Sequence, residues 1–191
     1  HDITLVFMTL SEDYSRNYSK SELLNLAKLC KGSQLIGINS FASTAHRANR
    51  IITFLKPLGI PIVYGGVHAT ISPQGCINHS DIVCVGEGEG TIIDLVNAIE
   101  KKKDYSKIPN LWVRKNDKII KNPVRNIIDE IDTLPFPDYE IKNHYLLERG
   151  KIRKFQESDF GGQLFFLTAR GCPRGCDYCS NCLFNEIYKG K

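Results

Sequence analysis

Pro61-Ile62-Val63-Tyr64-Gly65-Gly66-Val67-His68 and Asp81-Ile82-Val83-Cys84-Val85-Gly86-Glu87-Gly88-Glu89-Gly90 share one form, a short β-branched run cut off by glycines. Such runs read as buried strands that end in tight turns. Working outward, Leu35-Ile36-Gly37-Ile38 precedes the polar stretch Asn39-Ser40-Phe41-Ala42-Ser43-Thr44, and Ile3 to Leu10 forms an earlier apolar run. Helical spacing separates the strands. Ser19-Lys20-Ser21-Glu22 has the Ser-x-x-Glu form of a capping box, and Leu23, Leu24, Leu26, Ala27 and Cys30 follow it. Ala45, Ala48, Ile51, Ile52 and Leu55 mark a second helix that ends near Pro57 and Gly59; Ile92, Ile93, Leu95, Val96 and Ile99 mark another. Strand and helix alternating four times predict an α/β domain with a doubly wound, Rossmann- or flavodoxin-like parallel sheet. Ligands of such sheets sit at the carboxyl ends of the strands. The expected site edge is therefore residues 39–44, 65–70 and 86–90.

Composition narrows the class. The 191 residues are 42% hydrophobic, enough for a packed core in one or two domains. Lys and Arg number 25 against 21 Asp and Glu, a net charge of +4 with scattered lysines, so nucleic-acid binding is not indicated. Lys101-Lys102-Lys103 fits a helix C-terminus, where positive charge suits the dipole. No run of ~18 apolar residues predicts a membrane span, and the N-terminus lacks the layout of a secretion signal. The expectation is a cytoplasmic protein. Its seven cysteines, four of them at Cys172, Cys176, Cys179 and Cys182, suit a reducing compartment and metal ligation better than a disulfide framework.

Those C-terminal cysteines stand in Thr168-Ala169-Arg170-Gly171-Cys172-Pro173-Arg174-Gly175-Cys176-Asp177-Tyr178-Cys179, directly after the apolar run Gln163-Leu164-Phe165-Phe166-Leu167. The pattern predicts a strand that runs into a Gly/Pro-rich loop. Three thiolates on one loop can hold three corners of a cubic iron–sulfur cluster and leave the fourth iron open. Cys182 keeps two other readings alive, a four-thiolate structural zinc site and a closed, ferredoxin-type cluster.

The segment resembles the radical S-adenosylmethionine signature, C-x3-C-x2-C with an aromatic residue before the last cysteine. The resemblance implies that Cys172, Cys176 and Cys179 ligate a 4Fe-4S cluster and that Tyr178 neighbours bound S-adenosylmethionine. In that family the open iron chelates the amino and carboxylate groups of S-adenosylmethionine and passes it an electron, yielding methionine and a 5′-deoxyadenosyl radical. It further implies a small-molecule substrate and an external electron donor of flavodoxin or ferredoxin type. The first hundred residues resemble the cobalamin-binding domain fused ahead of many such enzymes, carried by Gly65-Gly66-Val67-His68 and Gly86-Glu87-Gly88-Glu89. By that likeness Ser40, Ser43 and Thr44 bond tail or amide groups of cobalamin, Gly65, Gly66 and His68 line the tail crevice, and Gly86, Glu87 and Gly88 form its other wall. Glycines permit the close backbone approach that a flat corrin and long tail require.

The implied organisation is a cobalamin-binding-like domain over residues 1–105, a hairpin and Pro-rich linker over 106–160, and the start of a radical S-adenosylmethionine partial barrel over 161–191. Leu134-Pro135-Phe136-Pro137 resembles the linker between these domains. Lys115-Asn116-Asp117 predicts a hairpin turn, with Trp112 as its packing anchor; residues 140–160 predict only a helix or loop. Because His1-Asp2-Ile3-Thr4-Leu5 aligns with the second strand of such domains, the chain is expected to be a fragment that lacks the first strand–helix unit, and inactive alone. The implied chemistry is methyl transfer to carbon. His46, His79 and His144 carry no motif, and Cys30, Cys76 and Cys84 are expected as buried thiols. A methylthiotransferase with a second cluster, or a non-enzymatic metal- or cobalamin-binding module, are the competing classes. An iron count of about four per full-length chain is expected, against about eight for two cubanes.

Overall fold

The structure is a computed structural model that describes residues 2–8, 17–148, 150–162 and 169–190. In chain order its elements are β1 (Leu5–Met8), α1 (Lys20–Cys30), β2 (Ile36–Asn39), α2 (Ala45–Leu55), β3 (Ile62–Gly65), α3 (Gly66–Ile71), α4 (Pro73–Ile77) and β4 (Ile82–Cys84). These are followed by α5 (Glu89–Glu100), β5 (Leu111–Lys115), β6 (Lys118–Lys121), β7 (His144–Glu148), β8 (Lys151–Lys154) and α6 (Ser180–Ile187). The chain divides into two compact units, His1–Leu29 with Asp129–Arg170, and Cys30–Ile128 with Gly171–Lys191.

The larger unit is a mixed α/β layer built on a five-stranded sheet in the order β2-β3-β4-β5-β6. β2, β3 and β4 are parallel, with Ile36 opposite Ile62 and Val63 opposite Ile82. Ile62, Val63, Tyr64, Ile82 and Val83 are all buried, which requires cover on both faces of these strands. On one face Val63, Ile82 and Cys84 pack with Leu95 of α5 and with Leu111 and Val113 of β5. On the other, the Cys76 thiol of α4 meets the Tyr64 hydroxyl; α2, which packs beside β2, buries Ala45, Ala48, Ile51, Ile52 and Leu55. The helical spacing of those five residues thus marks the inward stripe of α2.

Double winding is not realised as expected. Strand order rises from β2 to β4 without a reversal, and β1 pairs with β7 instead of joining this sheet. Its alternating exposed and half-buried side chains suit a strand with one covered face, not the doubly covered centre of a parallel sheet. The hairpin of residues 111–121 continues the sheet, antiparallel to β4. Asn116 and Asp117 both have positive φ, 49° and 61°, as the two-residue turn that suits strand twist demands. Trp112 is not the hairpin's buried anchor. Leu111 and Val113 fill the core, while Trp112 is half-buried with the Lys121 ammonium 4.2 Å from its ring centroid.

In the smaller unit, Ser19 and Glu22 form the reciprocal capping box: the Ser19 amide donates to Glu22 Oε2 at 2.6 Å, and the Glu22 amide to Ser19 Oγ at 3.3 Å. Residues 140–160, expected as helix or loop, contain the antiparallel pair β7–β8. Their alternation is masked in sequence by charge, since Arg153 sits on a strand yet is held by Asp159 and Glu148. Phe7, His144, Phe155 and Phe160 pack ring to ring beside it. Among the described residues no helix is long and apolar enough to cross a membrane.

Leu95→Ala removes a fully buried side chain from the core shared by α5, β4 and β5. Loss of about 2–5 kcal/mol of stability is expected in urea denaturation, whereas truncating exposed Ile93 on the same helix should cost under about 0.5 kcal/mol.

Candidate functional site

β2, β3 and β4 end side by side, and their carboxyl ends surround a cavity of about 460 Å³. Gly37, Ile38 and Asn39 line it from β2, Val63, Gly65 and Gly66 from β3 and its exit, and Cys84, Gly86, Gly88, Glu89 and Ile92 from β4 and the start of α5. Four residues singled out in the sequence, Gly65, Gly66, Gly86 and Gly88, are brought together here. The others stand elsewhere. Ser40 is buried, with Oγ 2.6 Å from the Tyr64 hydroxyl; Ser43 is exposed; and the Thr44 hydroxyl bonds the Phe41 backbone. The Glu87 carboxylate accepts the Ile128 amide at 2.9 Å. His68 sits on α3, a helix where a loop over 65–70 was expected, and its Nδ1 is buried without a hydrogen-bond partner.

Local chemistry explains the walls. Gly66 has φ +87°, and a Cβ there would collide with the Asn39 side-chain oxygen, so glycine both turns β3 into α3 and admits Asn39. The Thr70 hydroxyl, buried on α3, donates to the Gly66 carbonyl and accepts the Gly86 amide, each at 3.0 Å. One side chain thus clips the second wall to the third. Sequence reading missed the principal organiser, Asn110. It is 1% exposed, has φ +69°, and donates through Nδ2 to the carbonyls of Val85, at 2.7 Å, and Glu87, at 3.1 Å. Its carbonyl accepts the Val85 amide, and its Oδ1 accepts the Arg125 amide. The Glu87 amide itself donates to the Tyr188 hydroxyl at 2.7 Å. Asparagine tolerates the positive φ that this position takes, but nothing in the local sequence marks it.

Burial sets the cavity's acid–base character. Desolvation first, then the nearby Glu89 carboxylate, push the Cys84 thiol up to about 11 against a lesser opposing pull from Arg125. Burial raises Cys76 to about 11 as well. Both are neutral thiols at physiological pH. Arg125 is paired with Asp94.

The cysteine loop leads into α6. Cys172, Cys176 and Cys179 are half-buried free thiols, and Cys182, on α6, gives its Sγ hydrogen to the Cys176 carbonyl at 2.8 Å. Asn185 donates to the Cys172 carbonyl at 3.2 Å, so α6 holds the start and the middle of the loop. Tyr178 is 94% exposed. Among the described residues no three His, Cys, Asp or Glu side chains gather at one point. The strand expected over Gln163–Leu167 lies outside the described residues.

No family model matches the chain. It is 30% identical over 174 residues to an uncharacterized methyltransferase of Pyrococcus horikoshii, covering 87% of this chain and 36% of that protein. It is 26% identical over 186 residues to an anaerobic magnesium-protoporphyrin IX monomethyl ester cyclase of Synechocystis, covering 94% of this chain and 34% of that protein. The chain is thus similar over most of its length to a methyltransferase and to an anaerobic cyclase. A bacteriochlorophyllide d C-8(2)-methyltransferase of Chlorobaculum tepidum is 25% identical over 148 residues, covering 76% of this chain and 27% of that protein. The chain spans about a third of the length of the curated relatives it matches. A solved radical S-adenosylmethionine methyltransferase of Kitasatospora setae, with cobalamin and a [4Fe-4S] cluster bound, aligns at TM-score 0.46 and 15% identity over 65% of this chain and 30% of that one.

In the metal-free native protein, 5,5′-dithiobis(2-nitrobenzoate) should modify the C-terminal cysteines first. Cys76 and Cys84 should react only after denaturant is added, because burial keeps them protonated and covered. Labelling of Cys84 at the rate of Cys172, read by peptide mass, would contradict that expectation.

Proposed function

We propose that this chain is the cobalamin-binding and cluster-loop portion of a radical S-adenosylmethionine methyltransferase. The observation that carries the reading is the glycine-lined cavity at the carboxyl edge of β2, β3 and β4, in a chain that also bears C-x3-C-x2-C. Five of its lining residues are glycines, so backbone is exposed to a ligand over much of the wall. That suits the long polar tail of cobalamin.

For the cluster, the donor set fits in kind: three free, half-buried thiols on one loop. Cys172, Cys176 and Cys179 would hold it, and the Cys182 thiol bonds the Cys176 carbonyl. When bound, the cluster and S-adenosylmethionine supply the initiating radical, and cobalamin supplies the methyl group. The chain's own residues do the holding. Tyr178 presents an uncovered aromatic face on which an adenine can stack. Thr70 joins the second glycine wall to the third, Asn110 holds the third in shape, and Asn185 ties the start of the cysteine loop to α6.

The test is an anaerobic ultraviolet–visible spectrum of the full-length protein, reconstituted with iron and sulfide, incubated with hydroxocobalamin and desalted. Corrin bands on a broad cluster absorption are expected. Cys172→Ala should lose the cluster absorption and keep the corrin bands. Gly66→Ala, which drives Asn39 from its place, should weaken corrin retention at least about tenfold. A wild-type protein that retains a cluster but no corrin overturns the cobalamin assignment.

A further inference from the structure

The turn that forms the third wall of the cavity has its polar groups satisfied one by one. Asn110 takes both carbonyls that flank Gly86, Thr70 accepts the Gly86 amide, and Tyr188 accepts the Glu87 amide. Asn110 and Thr70 come from the sheet and its helices. Tyr188 does not. It follows α6, the helix that begins directly after Cys179 and bonds the backbone of the cysteine loop at Cys172 and Cys176. Its hydroxyl also lies against Gly86 so closely that a Cβ there would collide with it, and the Asn110 amide closes the same spot at 3.2 Å. Gly86 has φ +82°, so its missing side chain serves this approach as well as the turn. The half-buried Tyr188 is therefore a point at which the cysteine-bearing segment is hydrogen-bonded to the cavity wall, beside the packing of α6 on α3.

We infer that Tyr188 is a positioning residue that couples the cysteine loop to the cavity, so that ordering of the loop by its cluster tightens the binding of cobalamin. The inference rests on the proposed cobalamin reading of the cavity. The physical route is short. A loop whose thiolates are fixed to one cluster fixes the start of α6, which fixes the Tyr188 hydroxyl, which holds the Glu87 amide and with it the wall formed by Gly86 and Gly88. Coupling through one such contact is reciprocal: whatever the cluster adds to corrin affinity, corrin adds to retention of the cluster.

The experiment measures hydroxocobalamin dissociation constants by absorbance titration in the full-length protein, with and without reconstituted cluster, for wild type and Tyr188→Phe. The substitution keeps the ring and removes the acceptor of the Glu87 amide. In wild type the cluster should tighten binding about fivefold, the lower end of typical coupling. In Tyr188→Phe that ratio should fall to about one, and cobalamin should bind about tenfold more weakly to the cluster-loaded protein, as expected when a part-buried donor loses its acceptor. A merely structural tyrosine would weaken binding equally in both states and leave the ratio unchanged, which overturns the inference while the cobalamin assignment stands. Absence of binding in wild type overturns that assignment instead. Hydrogen exchange of peptide 85–90 without either cofactor gives a second readout: faster exchange in Tyr188→Phe is expected, and unchanged exchange counts against the role of the hydroxyl.

Discussion

The turn Val85-Gly86-Glu87 depends on a buried amide side chain. Asn110, held at positive φ where β5 begins, fills both flanking carbonyls of that turn and receives the Val85 amide on its own carbonyl. Left unsatisfied, those groups would each carry a desolvation penalty of about 1–3 kcal/mol. The same residue accepts the Arg125 amide and so anchors the chain leaving β6. It therefore links the end of β4, the start of β5 and the exit of the hairpin, and the cavity's third wall takes its shape from that junction.

Two further contacts complete the cradle. Thr70 carries the second wall to the third through a single hydroxyl that donates on one side and accepts on the other. Tyr188 brings in the segment that bears the cysteines. Both work because the residues they touch are glycines or their neighbours, whose backbone is open to approach. The glycines thus do two tasks, shaping turns of positive φ at Gly66 and Gly86 and leaving room for the polar partners that hold those turns. Backbone exposed on the cavity side is what remains for a ligand.

The charged and thiol groups near the cavity are arranged for quietness. Cys84 is kept neutral by burial and by Glu89, and Arg125 is paired with Asp94. A glycine-rich wall suits a large ligand held by many backbone contacts. The reactive capacity of the chain is concentrated in the C-terminal loop, where the thiols are half-buried and free.

Most of the strands and helices of the larger unit were legible in sequence, because each is a short apolar run or a 3.6-residue stripe bounded by glycine, proline or a cap. Gly65, Gly66, Gly86 and Gly88 were legible for the same reason, since a β-branched run stopped by Gly-Gly or Gly-x-Gly marks a strand that ends in a tight turn. The spacing of Cys172, Cys176 and Cys179 needed no structure to single it out. What tertiary structure alone decided was partnership. β1 has the periodicity of a strand, but only pairing energies choose β7 over the parallel sheet, and a four-residue run carries no label of its partner. Ser40 and Thr44 are polar residues at a promising edge, yet nearby Tyr64 and Phe41 claim their hydroxyls. Asn110 and Tyr188 are the reverse case, inconspicuous in their local sequence and central in space. Their roles come from hydrogen bonds that span from 15 to 101 positions along the chain. Local sequence determines which elements form; long-range satisfaction of buried polar groups decides which residues build the site.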